Sequence, residues 1–364
     1  MIKKANIFIS IKQETMIQFL FKFYIFASLS TQAYGRNVRR PQDPCVPIIS
    51  VSATDPEFEK SWAPLKKDPT FTQTCSLKSS FLRRRVFERF DIKFFNENYL
   101  PSECLEFRDK SGSVKTQTLS TLSNKLVEEI KRGKKDFPNF IILKDKDFNY
   151  KSLSGIIIVK FKNYPFVLKL SIEHPHTMVQ PYSKSFENTG QFVIGGNLRH
   201  LSNFTRITNL KRIKEILGEN PEYLNRIHFP RKWYWKPNKS HDLKIIWKCN
   251  GHQEEMFLPS VYAVISDFIQ TDKIQPQQEL NKLAMKVAID TGFLIDPHAG
   301  NFVIEQNPQQ CVLLDTEDFR IMVGLSQSMK AKSYTNWYLE LVYNGLKTYC
   351  LRSRQERIDQ CTLI

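Results

Sequence analysis

The stretch "GIIIVKFKNYPFVLKLSI", residues 155–172, decides the predicted architecture of the middle of this chain. Two runs of branched and aromatic residues, 155–161 and 166–172, flank the turn-forming letters "KNYP". This pattern predicts a β-hairpin, because branched residues favour strands and Asn and Pro favour turns. Residues 139–147 ("NFIILKDKD") are typical of another strand. The sequence therefore predicts an antiparallel meander of three strands.

More strands are predicted after this meander. They are "RKWYWKP", then "DLKIIWKCNGHQEEMFL" with an Asn-Gly turn at Asn250 and Gly251, and then residues 260–269 ("SVYAVISDFI"). The aromatic run Trp233, Tyr234 and Trp235 favours packing within a sheet over a platform for nucleic-acid bases.

The hydrophobic period changes from two to that of a helix near residue 278. In "QELNKLAMKVAIDTG" the apolar residues fall on one side of a helix, and Gly292 is placed to end it in a left-handed cap. "NFVIE" and "QCVLLD" then predict a short hairpin across "QNPQ", and a last helix is predicted over about residues 335–354. The fold class is therefore α+β, with a β-rich half at 138–270 and a helix-rich half at 271–364.

The N-terminal part carries a different signal. Residues 16–35 ("MIQFLFKFYIFASLSTQAYG") combine an apolar centre with small residues at Ala33 and Gly35, and lysines precede them. We predict a signal peptide or membrane anchor in residues 1–35, hence export or membrane association; a buried amphipathic helix or strand is the alternative, with a cytoplasmic protein. Residues 36–60, rich in proline, predict a linker, and 61–137 predict a mainly helical extension.

The charge balance favours anionic partners. A formal net charge of +16 suits a nucleotide, an acidic protein or an anionic membrane surface. The basic runs at 83–85 and 131–135 are short and typical of solvated faces, so we predict no specific nucleic-acid binding. The seven cysteines include no C-x-x-C pair, which argues against a zinc ribbon and favours free thiols.

Three polar side chains surround the predicted hairpin of "QNPQ". Asn301 and Asp315 stand at the open end of its two strands, so their oxygens can converge. Mg²⁺ takes hard oxygen ligands and few of them from protein, so this pair predicts a magnesium site. Asp296, further back on the loop, is free to accept a proton. His298 is predicted to brace the loop rather than to bind zinc, because no H-E-x-x-H pattern accompanies it.

These residues carry a family resemblance. "DPHAGNF" followed by "LLD" resembles the catalytic loop and metal-binding strand of the protein-kinase-like superfamily. The wording D-P-H-x-G-N is similar to that of the atypical ABC1/UbiB kinases, and aminoglycoside and choline phosphotransferases use a related pattern. The resemblance covers residues 138–364. It implies a two-lobed fold that binds ATP and Mg²⁺ and transfers the γ-phosphate to a hydroxyl of a small-molecule or protein acceptor.

The resemblance also implies a role for each site residue. Lys169 would contact the ATP phosphates, Asn301 and Asp315 would hold Mg²⁺, and Asp296 would be the catalytic base. The strand at 260–269 would contact adenine through its backbone at Ile265, Asp267 and Ile269. Glu187 would pair with Lys169, with Glu173 and Glu215 as rivals.

Several features depart from the kinase pattern. The phosphate-covering loop offers only Gly155, no H-R-D triplet precedes the loop, and "DTEDF" stands where D-F-G is expected. The chain after Asp315 is short, which favours a reduced helical lobe. Glu317 and Asp318 are either a second metal ligand or a solvated turn. The rival hypotheses are a kinase-fold pseudoenzyme or binding module, and an exported basic protein that binds anionic partners.

Overall fold

The computed structural model describes residues 48–54, 75–76, 90–175, 199–223, 226–249, 252–271, 275–307 and 309–318. The predicted signal or anchor, the predicted helix at 335–354 and Glu187 lie outside these residues. Among the helices in the described ranges, none has the length and apolar character needed to cross a membrane.

The described residues form fifteen strands and four α-helices. The strands are β1 Ile48–Ala53, β2 Cys75–Ser76, β3 Cys104–Glu106, β4 Ser113–Lys115, β5 Phe140–Lys144, β6 Phe148–Asn149, β7 Ser154–Phe161, β8 Phe166–Ile172, β9 Ile227–His228, β10 Lys232–Trp235, β11 Asp242–Cys249, β12 His252–Pro259, β13 Val261–Asp267, β14 Phe302–Glu305 and β15 Gln310–Leu313. The helices are α1 Ile92–Glu97, α2 Thr116–Lys131, α3 Arg199–Gly218 and α4 Gln277–Asp290, with a 3-10 turn at Ala299–Asn301.

A six-stranded antiparallel sheet forms the centre of the fold. Its strands run in the order β10-β13-β8-β7-β5, and β6 pairs with β7. The predicted meander is confirmed as β5, β7 and β8, which pair antiparallel in sequence order. A second sheet has the order β12-β11-β1-β2. Its β11–β12 hairpin is also confirmed, because Cys249 pairs with His252 across the predicted Asn-Gly turn.

The two faces of the six-stranded sheet contact different helices. Phe166, Leu168 and Leu170 on one face of β8 share a core with the buried side of α2. On the opposite face, Tyr234, Tyr262 and Val264 share a core with Leu201, Phe204 and Ile207 of α3. Successive residues of a strand point to opposite faces, so Lys169 and Ser171 lie on the side of α3.

The N-terminal extension contributes directly to this architecture. Leu119, Leu126 and Ile130 of α2 belong to the same core as the strands of the sheet. The extension also contains the β3–β4 hairpin besides its helices. Residues 48–53, within the segment predicted to be a linker, form β1 and pair along β11 instead. Pairing with β11 provides hydrogen-bond partners for the backbone of β1. The proline content of the segment does not reveal this pairing.

A separate core lies around α4, β9 and the β14–β15 hairpin. The predicted end of α4 at Gly292 is confirmed: this residue has φ +65°, and its N–H donates to Ile289 O at 3.0 Å. Phe293 N donates to Ala288 O at 2.6 Å, which completes a left-handed helix cap. The fold is a mixed α+β arrangement of several antiparallel sheets and few helices.

Candidate functional site

The site begins with an ion pair between two distant parts of the chain. Lys169, on the α3 side of β8, lies with its Nζ 3.3 Å from Asp315 Oδ2. Asp315 follows the β14–β15 hairpin by two residues. The pair therefore connects the six-stranded sheet to the segment after the hairpin.

Helix α3 supplies a second cation to the same carboxylate. Arg206 donates through Nη1 to Asp315 Oδ1 and through Nη2 to Glu317 Oε2. The Arg206 side chain is only 2% exposed, and its Nε donates to Asn203 Oδ1. Glu317, which was expected to be a metal ligand or part of a solvated turn, is a buried partner of this arginine.

The remaining polar residues of α3 fix the segment that contains Asp315. Thr205 Oγ1 accepts from Asp318 N at 2.9 Å, and Arg206 O accepts from Thr316 Oγ1 at 2.6 Å. Asn209 Nδ2 donates to Thr316 O at 3.1 Å. Residues 315–318 thus lie along the helix, and the position of Asp315 is set by hydrogen bonds as well as by charge.

A third cation lies beside the same segment. Lys232, on β10, donates from Nζ to Leu314 O at 2.9 Å and to Thr316 Oγ1 at 2.6 Å. Burial lowers the pKa of Lys232 well below its usual range, although the negative charge of Asp315 opposes this shift. Burial would raise the pKa of Asp315, but the charges of Arg206, Lys169 and Lys232 outweigh it and hold that pKa well below its usual range.

The predicted catalytic loop is a compact turn beside this cluster. Asn301 Nδ2 donates to Asp296 O at 2.9 Å, and Leu314 N donates to Asn301 O at 2.7 Å. His298 Nδ1 accepts from Gly300 N at 2.9 Å, so its ring braces the loop as expected. A Cβ at position 300 would lie 2.8 Å from that ring nitrogen, which explains the glycine. The structure thus brings Asp296, Asn301 and the segment of Asp315 together.

Basic residues from the β5–β6 connection lie near this loop. Burial lowers the pKa of His298, and the positive charges of Lys146 and Lys144 lower it further. These lysines therefore add positive potential on the side of the loop that carries His298. Gly155, the one glycine of the predicted phosphate-covering loop, has φ +110°, and a Cβ there would lie 2.2 Å from Asp147 O. Its role in this fold is the close approach of β7 to the β5–β6 connection.

The predicted adenine-contacting residues divide into two groups. Ile265 and Asp267 are within β13, which pairs with β8 on one side. On the other side β10 pairs with β13 from Ala263 to Ser266, and the Asp267 carboxylate binds Arg231, with Oδ1 2.7 Å from Nη2. The backbone of Ile265 and the side chain of Asp267 therefore stabilise the sheet and its surroundings. Ile269 lies beyond the end of β13, where the chain passes toward the β14–β15 hairpin. Of the three predicted residues, it therefore stays the candidate for a contact with adenine.

The three glutamates expected as partners of Lys169 lie in different parts of the chain. Glu173 is buried at the end of β8, where its N–H donates to Ser260 O at 2.9 Å, and Glu215 is exposed on α3. Glu187 lies outside the described residues. At the middle of α3, the residue that reaches the Lys169–Asp315 pair is the cation Arg206. Sequence reasoning missed it because α3 itself was not predicted.

The donor chemistry of this site fits a magnesium ion. Asp315 and Asn301 offer a carboxylate and an amide oxygen, both hard ligands of the kind that Mg²⁺ prefers. Two cations, Lys169 and Arg206, already contact the Asp315 carboxylate and show that this position attracts positive charge. Across the described ranges there is no cluster of three His, Cys, Asp or Glu side chains suited to a metal. A metal here would therefore need ligands from a nucleotide.

Comparison with known proteins gives no relative for this chain. No family model, no curated protein and no solved structure matches it. A function can therefore be proposed only from the geometry of the site.

Proposed function

We propose that this chain is a kinase-like phosphotransferase that uses ATP and Mg²⁺ and transfers the γ-phosphate to a hydroxyl group. The observation that carries the proposal is the ion pair between Lys169 and Asp315. The residue before Asp315 is Leu314, whose N–H donates to Asn301 O. Lys169, Asn301 and Asp315 also follow one another along the chain in the order that the kinase resemblance implies.

Each residue has a distinct task in the proposed reaction. Lys169 would bind and orient the phosphates, and Asn301 and Asp315 would hold Mg²⁺, which supplies neutralisation of phosphate charge when bound. Asp296 would orient the acceptor hydroxyl and accept its proton. Ile269 would contact the adenine at the passage from β13 to the second core. Most of the rate acceleration would come from orientation and electrostatic stabilisation.

The charge distribution supports an anionic ligand. Lys169, Arg206 and Lys232 are grouped around Asp315, and Lys144 and Lys146 lie near His298 in the loop. A triphosphate brings several negative charges into such a cluster, where a partly desolvated setting strengthens their attraction to the lysines.

Nucleotide binding by the full chain is the first test. Calorimetric titration with Mg·ATP should show binding, and Lys169→Ala should weaken it by about tenfold or more, because a direct phosphate contact is lost. Lys162→Ala is the matched control, since Lys162 is exposed at the turn of the same β7–β8 hairpin. Equal affinity for ATP in the Lys169 and Lys162 variants would contradict the proposed role of Lys169.

Phosphate transfer is the second test. With radiolabelled ATP, formation of labelled acceptor or free phosphate should fall by about a hundredfold or more in Asp315→Asn, since the electrostatic stabilisation of the transferred group is lost. Asp136→Asn removes one charge from an exposed position and serves as control. Full turnover by the Asp315→Asn protein would exclude a kinase-like mechanism at this site.

A second candidate function is nucleotide binding without transfer. It is favoured by Arg206, which contacts the carboxylate that a catalytic metal needs. A chain of this type would bind ATP, would depend on Lys169 for that binding, and would release neither phosphate nor labelled acceptor. Binding and turnover measured on one preparation separate the two functions.

A further inference from the structure

Arg206 has two carboxylate partners in different surroundings. The Asp315 side chain is 30% exposed, whereas that of Glu317 is 6% exposed. One guanidinium nitrogen contacts each of them. Asp315 therefore lies at the accessible edge of the cluster, and Glu317 lies in its interior.

The position of Arg206 does not depend on Asp315. Its Nε donates to Asn203, one helical turn earlier on α3. Glu317 in turn accepts from Ser202 Oγ, also on α3. The guanidinium is thus fixed by its own helix and by Glu317, so Asp315 can move away while Arg206 stays paired.

A metal ion and Arg206 need the same carboxylate. Asp315 Oδ1 accepts from both Arg206 Nη1 and Glu317 N, and Lys169 contacts Oδ2. A divalent ion bound to Asp315 would gain from its charge only if the carboxylate left the guanidinium. Removing the Asp315 contact leaves Arg206 with the buried carboxylate of Glu317 and no uncompensated charge.

We propose that Arg206 is an internal competitor of the divalent cation for Asp315, and that Glu317 retains Arg206 when the cation is bound. This inference rests on the proposed function. Arg206 lowers the affinity of the free site for metal. Nucleotide phosphates attract Lys169, which weakens its contact with Asp315, so nucleotide and metal bind cooperatively. Arg206 is a positioning residue in this scheme, since it acts through Asp315.

The test measures Mn²⁺ binding to the full chain directly, by the paramagnetic resonance signal of free Mn²⁺, with and without a non-hydrolysable ATP analogue. The main variant is the double substitution Arg206→Met, Glu317→Met. It leaves the net charge of the site unchanged, and replacing a buried ion pair by apolar residues is often tolerated by the fold. We expect Mn²⁺ affinity without nucleotide to rise by about tenfold, within the usual range of coupling between sites.

A second variant has the opposite expectation. Glu317→Gln leaves Arg206 with Asp315 as its charged partner, so the ion pair with Asp315 becomes stronger and Mn²⁺ affinity falls by about fivefold or more. The matched control is Arg108→Met, Glu305→Met. This is another partly buried Arg–Glu pair with two hydrogen bonds, and Glu305 lies at the far end of the β14–β15 hairpin from Asn301. The control should leave Mn²⁺ affinity unchanged.

The outcomes separate the inference from the proposed function. If the analogue and Mn²⁺ bind the wild-type chain but Mn²⁺ affinity is the same in the folded double variant, Arg206 does not compete and the inference is wrong. If Glu317→Gln binds Mn²⁺ more tightly than wild type, the inference is also wrong. If neither analogue nor Mn²⁺ binds the wild-type chain, the proposed function itself fails. Circular dichroism confirms that each variant is folded.

Discussion

Helices α2 and α3 cover opposite faces of one sheet and do so with different chemistry. The α2 helix buries Leu119, Leu126, Val127 and Ile130 in a continuous apolar core. Its buried polar side chains, which are Thr116, Ser123 and Glu129, contact residues close to them along the chain. The α3 helix also buries apolar residues, but at its middle it buries the polar side chains Ser202, Asn203, Thr205, Arg206 and Asn209.

This difference shows how one sheet can serve stability and function separately. Apolar contacts under α2 are non-directional and gain free energy in proportion to buried area. Polar groups under α3 must each find a partner, because a buried polar group without one costs free energy. Ser202, Thr205 and Arg206 find partners on residues 315–318, so the hydrogen bonds that stabilise α3 also fix the candidate site.

The largest effect is expected from a substitution among the buried polar residues of α3. Arg206→Met alone should lower the free energy of unfolding by about 3–5 kcal/mol, because the buried Glu317 carboxylate loses its cation. Urea denaturation measures the change. The Arg206→Met, Glu317→Met double variant should recover most of the loss, and a single variant as stable as wild type would contradict the buried ion pair.

The next effect is expected from a substitution in the apolar core under α2. Leu126→Ala should cost about 3 kcal/mol of unfolding free energy, since it removes a fully buried side chain from a packed core. Because the site is on the other face of the sheet, nucleotide affinity of the folded variant should match wild type. Titration at a temperature where the variant is folded checks this, and a tenfold loss of affinity would show that the two faces are coupled.

Acid should act on the α3 side through His200. Its Nε2 lies 2.7 Å from Pro259 O, a carbonyl that can only accept, and its Nδ1 lies 2.6 Å from Ser171 Oγ. Burial lowers the pKa of His200 to about 4, although the bond to Pro259 opposes this shift, so burial favours the neutral ring.

The consequence for stability follows from the direction of that shift. A histidine pKa lower in the folded than in the unfolded chain contributes stability above about pH 6.5, and this is lost as pH falls toward 4. The loss should reach about 2 kcal/mol at pH 5. Unfolding measured at pH 7 and pH 5 checks it. In His200→Gln the difference in unfolding free energy between pH 7 and pH 5 should be smaller by that amount. The same difference in the variant and the wild type would show that another group causes the pH dependence.

The smallest effect is expected at the edge of the sheet. Ile141 on β5, the last strand in the described order of the six-stranded sheet, is 45% exposed. Ile141→Thr keeps a branched side chain suited to a strand and should change the unfolding free energy by less than about 0.5 kcal/mol. Thermal melting provides the measurement. A loss comparable with that of Leu126→Ala would mean that this edge is covered by another surface in solution.

Sequence patterns predicted the elements whose signal is local. The strands β5, β7 and β8, the helix α4 and the β14–β15 hairpin follow from hydrophobic periods and turn residues. Lys169, Asn301 and Asp315 were found because their spacing and order resemble a known motif. The predictions of the strands, the helix and the hairpin are confirmed because their deciding residues are neighbours along the chain, whereas the roles of Lys169, Asn301 and Asp315 stay a prediction.

The α3 helix and the β1 strand were missed for a physical reason. Polar residues such as Thr205 and Arg206 indicate a solvated surface unless their partners are known, and those partners are more than a hundred residues away. The β1 strand lies in a proline-rich segment and pairs with β11, also far along the chain. Local propensity cannot report such pairings, because tertiary contacts supply the stabilising free energy.

The sequence by itself determined the meander, the cap at Gly292 and the loop in which His298 braces Gly300, because each depends on residues a few positions apart. Only the tertiary structure decided that a buried arginine shares Asp315 with Lys169 and that Glu317 lies in the interior. Burial removes water as an alternative partner, so the pairing of these charges is set by which segments the fold brings into contact.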